Sequence, residues 1–268
     1  MLKDITLGQY FPIDSVVHRL DPRLKILSVI LIIVVVFFCK TVSSFAVAIT
    51  FNIALILLSK IKFSVVLKSL KPVMFLILFT SLLNIFLTGG TDYIIKWKFI
   101  NITYTGIKSA VIMAIRIVLL VSFTSLLTFT TSPIRLTDGI ECLLKPFSKI
   151  GLPSHELAMM MTIALRFIPT LLEETDKIIM AQKSRGADFE SGNIIKRAKS
   201  LVPILVPLFI NSFRRADELA TAMECRCYRG GVGRTKLNEL KYSAIDLYAA
   251  FVCITFSALI IILGVYGI

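Results

Sequence analysis

The sequence predicts an all-α polytopic membrane protein, with about five transmembrane helices and a cytoplasmic domain of three helices, the last two long and crossing. Three observations predict it. Hydrophobic residues fill 56% of the 268 positions and mean hydropathy is +0.83, against about 45–50% apolar residues in soluble domains. The apolar residues gather in long uncharged runs separated by basic clusters. Beyond residue 150, two helical patterns of about thirty residues each end in a basic tip. The net charge of +13 fits Lys and Arg held on cytoplasmic loops. It does not fit a nucleic-acid surface, which needs a soluble fold around its basic patch.

Taken in order, residues 1–132 read as a membrane domain. Residues 1–23 form a cytoplasmic lead-in without the apolar core of a cleavable signal peptide. Asp21-Pro22-Arg23 reads as a helix start, with Asp as cap and Pro at the first position. Spans follow near 24–39, where the Lys25 stem extends a short apolar run, and near 41–59, 72–89 and 108–131. Gly89-Gly90 marks the turn after the third. Residues 92–107 are rich in strand formers and suggest an external loop with a small hairpin, Trp97 and Tyr104 lying at the membrane interface. Arg116 interrupts the fourth span and is expected to snorkel or to pack against polar groups of a loop. Asn52 and Asn84 are expected to make hydrogen bonds between helices.

Residues 133–241 read as the cytoplasmic domain, with helices near 133–149, 154–184 and 193–227. The first is amphipathic, with Leu136, Ile140, Leu143, Leu144 and Phe147 on one side. The second is apolar over 157–165, and Pro169 should bend it. The third carries Pro203 and Pro207 in an apolar centre and becomes polar from Arg214. A last span covers 242–268. Four spans before this domain put the basic regions 1–25, 60–71 and 133–241 on one side, the cytoplasm. The N-terminus is then cytoplasmic and the C-terminus external.

Motifs of catalysis are missing. The sequence has no nucleotide-binding Gly-x-x-x-x-Gly-Lys-Ser/Thr, no His-Glu-x-x-His and no Gly-x-Ser-x-Gly. Cys225 and Cys227 alone make a poor metal site, because structural zinc wants four ligands. Glu173, Glu174 and Asp176 read as a solvated face. Two competing readings are a membrane enzyme using Glu173, Glu174 or Cys227, and a self-sufficient secondary carrier. The second would usually need ionisable groups at mid-membrane, which are scarce here.

The basic tips are the candidate site. Ala181 to Gly186 and Ala222 to Cys227 each place an Ala one helical turn before an Arg, with small neighbours and glycine soon after. One such Arg could simply sit at the negative end of a helix dipole. Two matched ones suggest forks that bind carboxylates of a partner, with small neighbours permitting close approach.

The chain resembles the transmembrane T component of energy-coupling factor (ECF) transporters, the CbiQ/EcfT family. Residues 8–15 and 18–25 are similar to the family's N-terminal signature. Residues 166–169, 181–187, 213–220 and 222–228 are similar to its coupling region. The family pattern is two Ala-Arg-Gly triplets; this chain has Ser184-Arg185-Gly186 and Cys225-Arg226-Cys227. The resemblance implies a non-catalytic coupling subunit of an ABC-type vitamin or micronutrient importer in a prokaryotic plasma membrane. It implies two cytoplasmic ATPase subunits as partners, usually a heterodimer, which carry the ATP and Mg, while this chain binds no cofactor. It implies interchangeable substrate-capturing S components, which would lie against Met159, Met160, Met161, Leu165, Leu205 and Phe209. Methionine suits a surface that accepts several partners.

Overall fold

The computed structural model describes residues 10–87, 93–97, 100–151, 153–189, 193–230 and 240–266. Gly89-Gly90, the start of the N-terminal signature and the linker after Gly230 lie outside them. In chain order the helices are α1 (Val16–Arg19), α2 (Pro22–Phe38), α3 (Val42–Ser59), α4 (Phe63–Leu70), α5 (Met74–Leu87), α6 (Tyr104–Thr130), α7 (Pro133–Leu144), α8 (Ser154–Ser184), α9 (Ile194–Cys225) and α10 (Ala244–Tyr266). A two-stranded antiparallel hairpin, β1 (Tyr93–Trp97) and β2 (Ile100–Thr103), pairs Trp97 with Ile100 and Lys96 with Asn101. It is the one sheet among the described residues, and it lies in the stretch read as a hairpin. The Thr103 hydroxyl then accepts from Gly106 N and starts α6.

The chain divides into two compact units. One holds Gly8–Gly139 with Glu239–Ile268, and the other is built on Ile140–Asn238. The first is centred on α2, α3, α6 and α10. Val35, Val36, Ala48, Phe123 and Ile260 are almost wholly enclosed there, and the rings of Phe51 and Phe256 stack with centroids 3.8 Å apart. In a membrane such packing holds by close contact rather than by water exclusion. The closest approach is at Gly264, where a Cβ would meet the Phe38 carbonyl oxygen at 2.6 Å.

A buried polar network explains the N-terminal signature. The Asp21 carboxylate accepts from Arg23 N at 2.8 Å and caps α2, whose first residue is Pro22. Asp246 of α10 accepts from Asp21 N and from Ser243 N, both at 2.8 Å, placing a carboxylate at a helix N-terminus. Arg23 donates to Leu240 O and stands 5.2 Å from the centre of the Tyr242 ring. Lys25 is 6% exposed, and its ammonium donates to Thr130 O and Thr131 Oγ1. Its charged head is thus enclosed along with its stem, because the end of α6 offers it oxygens inside. Phe11 N donates to Phe129 O, and buried His18 lies between Ser15 Oγ and Phe11 O. A carbonyl only accepts, so His18 Nε2 carries the proton and Nδ1 accepts from the serine.

Arg116 donates to Cys39 O at 2.9 Å, beside the rings of Phe37 and Phe45. It satisfies a carbonyl left over at the end of α2, as cations do there. Asn52 accepts from Ser122 across α3 and α6, as expected. Asn84 instead donates to Thr80 O of its own helix.

Among the described residues, five helical stretches are long and apolar enough to cross a membrane: Val42–Ser59, Phe63–Phe86, Tyr104–Thr130, Ser154–Ser184 and Ala244–Gly264. The set includes α8 and omits α2, whose 17 residues lie at the lower limit for a span. The second stretch begins at Phe63 because a 3-10 turn at Lys71–Val73, holding Pro72, joins α4 to α5. The helix expected over 133–149 is α-helical only to Leu144. Pro146 breaks the hydrogen-bond ladder there, and Lys145–Ile150 continue as 3-10 turns to Gly151 at φ +93°. Phe147, assigned to the apolar side, is exposed. Earlier in α7, Gly139 touches α2: a Cβ would lie 3.0 Å from Pro22 Cβ.

Candidate functional site

Both tips end in the same turn. In α8, Arg185 follows the last helical residue, Gly186 N donates to Lys183 O, and Ala187 N donates to Gln182 O at 3.0 Å. In α9, Arg226 follows the last helical residue, Cys227 N donates to Glu224 O at 2.8 Å, and Tyr228 N donates to Met223 O at 3.0 Å. Each pair of bonds closes a Schellman turn, which satisfies carbonyls the helix leaves unpaired. The residue that reverses the chain must adopt positive φ. It is Gly186 at +85° in the first tip and Cys227 at +54° in the second. The helix expected over 193–227 therefore ends at Cys225, and the chain reverses at Cys227. Side chains with a Cβ resist this conformation by about 1–2 kcal/mol, so Cys227 bears a cost that Gly186 does not.

Arg185 and Arg226 thus occupy the same position in the two turns, one residue past the last helical residue. Ser184, Arg185 and Gly186, like Cys225, Arg226 and Cys227, are all exposed. Among the described residues, neither Arg has an ion-pair partner. Two guanidinium forks thus stand at the negative ends of two helices, free to take carboxylates.

Farther back, α8 and α9 are linked. Glu174 accepts from Asn211 Nδ2 at 2.5 Å and pairs with Arg215 at 3.3 Å. Its carboxylate is not the solvated group the sequence suggested. The available signal was an i, i+4 pair of donors, Asn211 and Arg215, on one face of α9. Glu174 lies eleven residues before Arg185, as Arg215 does before Arg226, so each tip extends about 16 Å past the link. At the other end of α8, His155 Nδ1 lies 3.0 Å from Glu141 of α7.

The apolar candidates divide by exposure. Met160, Leu205 and Phe209 are exposed, while Met159, Met161 and Leu165 are half-buried. Leu201, Val202, Val206, Ile210 and Phe213 are exposed as well. Only Ile204 of this stretch is buried, so α9 carries a long apolar surface of the kind that marks contact with protein or lipid.

The residues of the enzyme reading do not converge. Glu173 is exposed, Glu174 is engaged with α9, and Cys227 lies twelve residues beyond Arg215, about 18 Å along the chain. Among the described residues, no cluster of His, Cys, Asp and Glu could hold a metal ion.

Comparison with known proteins supplies the family. The model of the CbiQ family, described as cobalt transport protein, matches residues 14–237. A Clostridium kluyveri protein described as energy-coupling factor transporter transmembrane protein EcfT is 60% identical over 251 residues, 93% of each chain. Proteins of the same description from Acidaminococcus fermentans and Bacillus subtilis are 56% and 45% identical. The first alignment covers 97% of both chains, and the second 98% of this one and 99% of its relative.

Proposed function

This chain belongs to the CbiQ/EcfT family, the transmembrane components of energy-coupling factor transporters, and on that premise we propose that α8 and α9 are the levers through which separate ATPase subunits drive it. It is a multi-pass protein of a bacterial cell membrane and the non-catalytic component of its transporter. Two cytoplasmic ATPases, a related pair, dock on the tips at Arg185 and Arg226, with Ser184, Gly186, Cys225 and Cys227 allowing close approach. ATP and Mg belong to those subunits. Closure of the ATPases moves the two tips, and the motion passes along α8 and α9 to a separate S component that holds a vitamin or micronutrient. Met159, Met160, Met161, Leu165, Leu205 and Phe209 form the surface toward interchangeable S components.

In this reading α2, α3, α4–α5, α6 and α10 cross the membrane and α8 does not. α2 packs among apolar helices of the first unit, whereas α8 pairs through Glu174 with α9 and carries charge along its second half. Four crossings then precede the tips. The three basic regions share the cytoplasmic face with the N-terminus, and the C-terminus is external.

The observation that carries the proposal is the pair of matched turns, each offering one unpaired Arg. Reconstitution tests it. Vesicles holding this chain, the ATPases and an S component should take up substrate only with ATP, and omission of this chain should stop uptake. Uptake by this chain alone without ATP would instead make it a secondary carrier.

A further inference from the structure

The first unit holds an elongated cleft of about 280 Å³ between α1, α2, α3, α6 and α10. Its floor is Ile32, Phe123 and Leu126, each 1–6% exposed, and its mouth is Val16, Leu58, Tyr248 and Val252, each 51–71% exposed. The lining runs along α2 from Leu24 to Ile32, a length of about 12 Å. Spread over that length, this room for the centres of water-sized spheres is a channel about 5 Å across, or about 8 Å from wall to wall once a water radius of about 1.4 Å is added on each side. A helix with its side chains is about 10–12 Å across. No helix of a partner fits, whereas an extended hydrocarbon chain does.

The chemistry of the walls agrees. They are almost wholly apolar, and a cavity of that kind stays dry and takes apolar guests. The charged group in the lining is Lys25, and its three hydrogens already serve Thr130 O, Thr131 Oγ1 and His18 O. The cleft therefore offers a guest no free charge, and whatever enters is held by an apolar tail. Its helices belong to the membrane-embedded unit, so the apolar matter at the mouth is lipid.

We propose that this cleft is a binding site for one acyl chain of a membrane phospholipid, inserted between α10 and the α2–α6 pair. The chain fills a void that would otherwise cost packing contacts where the N-terminal network joins the spans.

Photolabelling tests it. The full chain is placed in vesicles of phosphatidylglycerol and phosphatidylethanolamine doped with a phospholipid carrying a diazirine in its acyl chain. It is then irradiated, and the adducts are mapped. Adducts are expected at Ile32, Phe123 or Leu126, and at Phe75 and Leu78, which are exposed on α5 and report general lipid contact. Ala249→Trp and Ser28→Phe, built separately, fill the cleft from opposite walls. In either variant that elutes as a single species, the floor adducts should vanish while those at Phe75 persist. Floor adducts that are absent from the wild type or unchanged in a filled variant would overturn the proposal.

Discussion

Cys227 stands at the end of α9 where Gly186 stands at the end of α8. Both adopt left-handed backbone, and both return an amide hydrogen to the carbonyl three residues earlier. The two levers thus share one terminus although their sequences there differ at two of three positions. The conformation is what the family's glycine serves, and here a cysteine bears it.

That relationship predicts a stabilising change. Cys227→Gly removes the steric cost of a Cβ in this region, about 1 kcal/mol net, which corresponds to roughly fivefold in a local opening equilibrium. Hydrogen exchange at the Tyr228 amide, which bonds to Met223 O, should slow by about that factor. Cys227→Val, with branching at Cβ, should speed it. Equal exchange in all three proteins would mean that the turn is not under strain.

The link between the levers gives a second prediction. Glu174 is mostly shielded and holds two donors of α9, so Glu174→Ala leaves Asn211 and Arg215 without their acceptor. Because Arg215 is 40% exposed, losing this partner costs about 1 kcal/mol, nearer a surface pair than a buried one. The ATPases should still be retained on the tips, while ATP-driven uptake falls severalfold. The swap Glu174→Arg with Arg215→Glu restores the ion pair and should recover part of that uptake. A swap no better than Glu174→Ala would show that the pair does not carry the motion.

His18 makes the protein sensitive to acid. Burial, then the Lys25 ammonium, lowers its pKa below the ordinary value of 6.5. The unfolded chain therefore takes up a proton at a higher pH than the folded one. By linkage, the neutral ring's contribution is complete above about pH 6.5 and declines as pH falls toward the folded value. Protonation would also reverse the bond with Ser15, Nδ1 then donating to the hydroxyl oxygen. Thermal midpoints in detergent should fall between pH 7.5 and 5.5 and fall less for His18→Gln. An equal decline in both proteins would remove His18 as the cause.

Much of this architecture is legible from local pattern. Apolar runs, Asp21-Pro22 and the Ala-to-Arg spacing at the tips each fix a helix or its end within a few residues. What escaped depends on distant partners. Lys25 looks like a side chain bound for water until Thr130 and Thr131, more than a hundred residues later, supply oxygens in the interior. Glu174 reads as solvated because the residues that claim it sit on the next helix. At the end of α9 the residue that bears the turn was not legible: glycine is the usual sign of left-handed backbone, and here hydrogen bonds from the Cys227 and Tyr228 amides to Glu224 O and Met223 O hold a cysteine in that shape.

The most direct measurement is recovery of the ATPase subunits by pull-down on the membrane-inserted chain carrying Arg185→Glu and Arg226→Glu together. Reversing both charges should abolish recovery while membrane insertion stays intact, since both residues are exposed and lie past the last helical turn. Recovery at the wild-type level would contradict the account.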